Sequence, residues 1–240
     1  MIYTTKYRPG LSDINQDYTV KKSAILKILE DSAGFHTDAV GVDGIDKINE
    51  TRRAWAILDW QVEILEPVRY GDDLTIKTWS RKFKRTCAYR DFEIFKDDKV
   101  CVKASSRWFI IDIDKRLPVR ITEEISNPYE SEDRAVFSDE DMTEHPTPLE
   151  NYEEVFSYKT RRSDQDIIGH VHNINYLNYF DDCLDFDEIG KIKNIRLYFK
   201  KEIQGGAVVN IKKHKAEDGT YYFAIESEDG SEIHSICIMS

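Results

Sequence analysis

The stretch Arg162-Ser163-Asp164-Gln165-Asp166-Ile167-Ile168-Gly169-His170-Val171-His172 sets two acids, a glycine and two histidines directly ahead of an apolar segment with helical spacing. A carboxylate can take a proton from water or attack a carbonyl itself, and an imidazole can orient it or relay the proton. Acid, glycine and histidine at the mouth of a helix are the ingredients of a hydrolytic site. Taken alone, the same residues also suit a capped helix start, with Asp166 as its N-cap. His170-x-His172 lacks a third ligand at a metal-binding spacing, so neither a metal nor another cofactor is expected.

The elements that must position these residues come in two copies. Ser12-Asp13 stands 151 residues before Ser163-Asp164, and the same offset carries Val20 onto Val171, Ile25-Leu26 onto Tyr176-Leu177 and Ile28–Asp31 onto Tyr179–Asp182. Apolar positions recur at helical spacing in both copies, at Ile25, Ile28 and Leu29 and at Leu177, Phe180 and Leu184. Strand-forming runs follow each helix: 54–65, 74–79, 87–95 and 100–113 in the first half, 195–203, 207–213, 221–226 and 232–239 in the second. A long helix and then an antiparallel meander, twice, is an α+β architecture with each helix wrapped by its own sheet. The first copy has Asn15–Thr19 where the second has its Gly-His pair, and His36 is expected beyond the helix, so this half reads as non-catalytic.

Charge separates the halves. Residues 123–154 hold twelve acids and one base, which equals the whole chain's net charge of −11, and they include Pro128, Pro146 and Pro148. This segment reads as a solvated linker between units 1–122 and 155–240. Basic runs at 77–90 and 191–215 suit solvated faces or an anionic partner, and no nucleic-acid motif accompanies them. Cys87, Cys101, Cys183 and Cys237 are widely spaced and read as reduced thiols. No apolar run reaches the roughly 18 residues that span a bilayer. A cytoplasmic, membrane-free protein is the expectation, with homodimerisation left open.

Three features carry a resemblance. Trp60-Gln61-Val62-Glu63-Ile64 runs into Gly71–Trp79, Ala104-Ser105-Ser106-Arg107-Trp108-Phe109-Ile110-Ile111-Asp112 follows, and the 162–176 stretch completes the order. Over essentially the whole chain this resembles the acyl-acyl-carrier-protein thioesterases of plants and bacteria. The resemblance implies a tandem double hotdog fold, a non-catalytic N-terminal half that houses the acyl chain, and a catalytic C-terminal half. Trp55, Ile57, Phe92 and Trp108 are candidate tunnel residues, though core packing explains them equally well.

The resemblance implies release of free fatty acid from acyl carrier protein, with Asp166, His170 and Glu202 as catalytic residues. The backbone amides near Gly169 and Val171 are the expected oxyanion donors. The family's Asn between acid and histidine is Ile168 here, the first Asn of the following pair is His172, and its Glu-Cys reads Glu202-Ile203. The expected partner is acyl carrier protein, acidic and bearing a phosphopantetheine-linked acyl chain, with Lys200, Lys201, Lys212 and Lys213 as docking candidates. An acyl-CoA thioesterase and a non-catalytic acyl-thioester binder are the alternatives.

Overall fold

The computed structural model describes residues 1–42, 44–138 and 146–240. It divides into two compact units, Met1–Thr143 and Glu144–Ser240. Each unit is a helix against an antiparallel sheet. In the first, β1 (Tyr3–Tyr7), β2 (Arg53–Ile64), β3 (Leu74–Phe83), β4 (Ala88–Lys96) and β5 (Lys99–Asp112) stand in the order β1-β3-β4-β5-β2, with the short β6 (Leu117–Val119) on β5. In the second, β7 (Glu154–Lys159), β8 (Asn194–Phe199), β9 (Val208–Lys215), β10 (Tyr221–Ser227) and β11 (Ile233–Met239) stand in the order β8-β11-β10-β9-β7. Apart from β6, which has no counterpart among the described residues of the second unit, the pairings correspond one for one, as a duplication requires. β1 and β7 lie outside the expected strands, because their alternation is polar: Tyr3, Thr5 and Tyr7 are half-buried while Thr4 and Lys6 are exposed.

The first-unit helix, Lys22–Val40, buries Ile25, Leu26, Ile28, Leu29, Ser32 and His36. His36 therefore lies within the helix, not beyond it. The helix ends at Gly41, whose φ of +76° lets its N–H reach the carbonyls of Thr37 and Asp38. The second-unit helix is only Asn173–Asp181, shorter than the expected long helix. Asp181 and Asp182 put negative charge at the end of the macrodipole where it is least favourable. Asp185 then opens a separate turn, Phe186–Ile189, its N–H bonded to the Glu188 carboxylate at 3.2 Å. Leu177, Phe180 and Phe223 are fully buried within the second unit, each contributing about 1.5–3 kcal/mol.

The acidic segment behaves in two ways. Its early part packs on the first unit: Ile125 and Tyr129 are buried. The Trp79 indole donates to the Arg134 carbonyl at 2.8 Å, and the Val136 N–H donates to Asp91 at 3.1 Å. Asp139, Glu140, Asp141 and Glu144, which carry much of the expected linker's charge, lie outside the described residues.

Both units enter their helix through the same frame. Asp164 ends a 3₁₀ turn, and its Oδ2 accepts the Arg161 N–H at 2.7 Å and the Tyr179 hydroxyl at 2.8 Å. Its carbonyl accepts the His172 N–H at 2.8 Å. Asp13 repeats this with the Gly10 N–H at 2.8 Å, the Tyr7 hydroxyl at 2.9 Å and the Lys21 N–H at 2.8 Å. Replacing either carboxylate leaves a backbone donor and a phenol without their acceptor. Asp164→Ala is therefore expected to lower unfolding free energy by about 1–3 kcal/mol in urea titrations, with Tyr179→Phe costing less.

Candidate active site

Residues 166–171 form a tight loop before the helix. The Asp166 N–H donates to the His170 carbonyl at 2.8 Å and the Gly169 N–H to the Asp166 carbonyl at 3.2 Å. Asp166 Oδ1 accepts the N–H groups of Ile168 at 2.9 Å and His170 at 3.1 Å. Gly169 takes φ +88°, which a residue without Cβ adopts cheaply. The Val171 N–H then donates to the Ile203 carbonyl at 2.8 Å, tying the loop to the segment after β8.

That tie brings two predicted residues together. His170 Nδ1 lies 3.6 Å from Glu202 Oε2, with the histidine side chain 18 % and the glutamate side chain 40 % exposed. Both are therefore within reach of solvent. Tyr176, on the helix and 3 % exposed, brackets Glu202: its hydroxyl accepts the Ile203 N–H at 3.1 Å and donates to the Lys201 carbonyl at 3.5 Å. Burial pushes the Tyr176 phenol well above its ordinary value, and the charges of Glu202 and Asp166 add to the effect. It stays protonated and acts as a donor. Asp166, His170, Tyr176 and Glu202 thus surround one place. His234 stands behind it, its Nδ1 3.3 Å from the Lys201 carbonyl and its imidazole held below the ordinary value by burial.

The amides expected as oxyanion donors are occupied within the loop. The amides of Gly169, His170 and Val171 all have internal acceptors, and the helix begins only at Asn173. In the helix's first turn, Ile174 has no acceptor for its N–H among the described residues. Ile168, in the place of the family's Asn, is 58 % exposed. Burial pushes the Cys183 thiol up to about 12 and the Cys101 thiol up to about 11. Among the described residues no group of three or more His, Cys, Asp or Glu side chains could hold a metal ion.

The first unit has the same loop without the chemistry. Asn15, Tyr18 and Val20 repeat the hydrogen bonds of Asp166, Gly169 and Val171, with the Val20 N–H donating to the Val68 carbonyl at 2.8 Å. Even the left-handed backbone recurs, at Tyr18 with φ +64°. Superposing these bonds puts Asn15, Thr19, Ile25 and Pro67 where the second unit has Asp166, His170, Tyr176 and Glu202. Tyr176 escapes a reading by residue type, because it falls on the apolar face of its helix. The repeat itself exposes it, as Ile25 becoming Tyr176.

The four docking lysines differ in availability. Lys212 pairs with Glu226 at 2.7 Å, Lys213 with Glu154 at 3.0 Å and with the Cys183 carbonyl at 2.9 Å, and Lys201 with Glu232. Lys200 is exposed and has no carboxylate partner among the described residues.

Family comparison gives this geometry its place. The acyl-ACP thioesterase N-terminal domain matches residues 1–129 and the acyl-ACP thioesterase C-terminal domain residues 148–239. The chain belongs to the acyl-ACP thioesterase family. Oleoyl-acyl carrier protein thioesterases 1 and 2 of Arabidopsis thaliana, both named as chloroplastic, are 23% and 26% identical over 227 residues, or 87% of this chain. The chain spans 62% and 61% of their respective lengths. The crystal structure of an acyl-ACP thioesterase from Bacteroides thetaiotaomicron superposes with a TM-score of 0.88 at 18% identity, covering 99% of this chain and 96% of that one. The fold is the double hotdog that the sequence features imply, and Asp166, His170, Tyr176 and Glu202 all fall in the C-terminal domain of the family.

The backbone at position 169 makes a direct prediction. A Cβ there meets nothing within 4 Å, so Gly169→Ala costs only conformational strain. The expected loss is about 1 kcal/mol by chemical denaturation, with the His170–Glu202 approach retained.

Proposed function

We propose that the chain hydrolyses the thioester of a fatty acyl group carried on acyl carrier protein, releasing the free fatty acid and the carrier's thiol. The observation that carries this reading is the approach of His170 Nδ1 to Glu202 Oε2 at 3.6 Å, in the copy of the repeat that alone holds these side chains. Membership of the acyl-ACP thioesterase family supports the choice of substrate.

A thioester needs modest help. Its leaving thiol has a pKa near ~8.5, so it departs as thiolate without prior protonation. In this reading Glu202 takes a proton from water while His170, 3.6 Å from the carboxylate and closing on it when substrate binds, orients it and relays that proton. The water oxygen attacks the thioester carbon, and the Ile174 N–H, an unused backbone donor in the helix's first turn, is the one assigned to the resulting oxyanion. Collapse of the tetrahedral intermediate breaks the carbon–sulfur bond, and the relayed proton neutralises the thiolate. Asp166 holds the loop through its two backbone acceptor bonds, and Tyr176 holds the segment that bears Glu202. Acyl carrier protein is acidic, and Lys200 is the lysine free to meet it.

Steady-state kinetics on a long-chain acyl-ACP test these roles. Glu202→Gln is expected to lower kcat by about 10²–10⁴-fold, the range for removing a general base. Tyr176→Phe keeps the ring and removes the bracket, so kcat falls by about tenfold with little change in KM. Asp166→Asn retains its Oδ1 acceptor and is expected to stay within about tenfold of wild type; a loss beyond about a hundredfold would return Asp166 to the chemical step. Charge reversal at Lys200 should lower kcat/KM for acyl-ACP by about tenfold and leave a small acyl thioester unaffected. Equal effects on both substrates would remove Lys200 from docking.

A further inference from the structure

Arg90, on β4, is a guanidinium only 6 % exposed and has no carboxylate among its described partners. Its Nη1 donates to His36 Nδ1 at 2.8 Å and to Thr78 Oγ1 at 3.2 Å. The Tyr129 ring covers it with the centroid 5.7 Å away. Burial, with Arg90's charge added, lowers His36 to about 3, so its ring is neutral and accepts at Nδ1. Burial also draws Arg90 down to about 10, which leaves it a cation at neutral pH.

Two other arginines of the same unit show what is missing. Arg107 turns its Nε–Nη2 edge to Asp59, with Nε to Oδ2 at 2.7 Å. Arg52 turns the same edge to Asp114, at 3.1 and 2.6 Å. That edge is the fork that matches a carboxylate in two parallel bonds. On Arg90 it meets only the Ser80 hydroxyl, 3.4 Å from Nη2, and Nε has no acceptor among the described residues.

A second unfilled donor stands on the same row of the sheet. Strand register places Ser80, Arg90, Ser106 and Trp60 side by side on one face. Trp60 is 1 % exposed, and its indole N–H has no acceptor among the described residues. The rows on either side are largely apolar: Phe92, Ala104 and Val62 along one, Ala88, Trp108 and Ile57 along the other. A hydrated inorganic anion suits such surroundings badly, because its remaining oxygens would lose water without gaining donors. A carboxylate attached to an alkyl chain suits them well.

We propose that this row is a buried receptor for the carboxylate of a fatty acid, with Arg90 holding the carboxylate on its Nε–Nη2 edge and Trp60 donating a further hydrogen bond. The identity of the ligand rests on the reaction proposed above, whose product is a fatty acid. The receptor would then hold either that product or an acyl chain that ends in a second carboxylate. His36 and Thr78 keep the guanidinium in place, and Tyr129 closes over it.

The test compares dodecanoate with 1-dodecanol, which share the chain and differ in the head, by tryptophan fluorescence and calorimetry on the full chain. Wild type is expected to bind the acid about tenfold or more tightly than the alcohol, the worth of a charge-assisted pair. Arg90→Met should reduce dodecanoate to the alcohol's affinity, and Trp60→Phe should weaken it by a few-fold. Met fills the space of a buried, uncompensated cation with apolar atoms, so the variant is expected to fold with an equal or higher melting temperature.

Turnover separates the two sources. Faster hydrolysis of an ω-carboxyacyl-ACP than of dodecanoyl-ACP, lost in Arg90→Met, assigns the receptor to substrate; competitive inhibition by dodecanoate without that preference assigns it to product. Equal affinity of wild type for acid and alcohol, or an unchanged preference in Arg90→Met, overturns the receptor. Binding is read without turnover, so an inactive chain that keeps the Arg90-dependent preference overturns the proposed reaction alone.

Discussion

The Val171 N–H bonded to the Ile203 carbonyl at 2.8 Å is the constraint on which the site depends. With the Gly205 N–H on the Gly169 carbonyl at 3.2 Å, it fixes the 166–171 loop against the segment after β8, although His170 and Glu202 lie 32 positions apart in the chain. With it, a bridge from His170 to Gln204 follows and the two side chains face one another. The Asp164 carboxylate secures the other end of the loop, and the Tyr176 hydroxyl secures the residues on both sides of Glu202. Side chains held by backbone bonds on both flanks are preorganised, which is what the proposed reaction asks of them.

The duplicated frame separates scaffold from chemistry. Backbone bonds, the 3₁₀ turn, its capping aspartate and the left-handed residue occur in both units. They are therefore properties of the fold. At the four site positions each exchange removes a titratable or hydrogen-bonding group from the first unit: Asn15 for Asp166, Thr19 for His170, Ile25 for Tyr176, Pro67 for Glu202. The glycine at 169 belongs to the scaffold, since Tyr18 takes the same backbone region in the other copy.

Sequence pattern made the interior strands and the repeat legible, because inward-facing apolar residues alternate where one face is buried. β1 and β7 escaped it, since edge strands with Thr and Lys outward alternate without a hydrophobic signal. Asp166 and His170 were visible as a local cluster, whereas Glu202 required the family's spacing, being one carboxylate among lysines. The Gly169 and Val171 amides already have acceptors for a physical reason: the loop's own turn and the isolated bridge from His170 to Gln204 leave no periodicity in the sequence, and they use donors that a simple helix start would leave free. The basic run 77–90 misled in the same way. Arg81 and Arg90 face inward, one against Asp91 and the other against His36, and are not a solvated face.

A double-mutant cycle on His170 and Glu202 tests the central claim most directly, with kcat for acyl-ACP as the readout. If the pair works as a unit, His170→Asn combined with Glu202→Gln is hardly slower than the worse single variant, giving a coupling of about 1–3 kcal/mol. Multiplicative losses, with each variant acting independently of the other, would contradict a shared proton path and remove the pair from the centre of the mechanism.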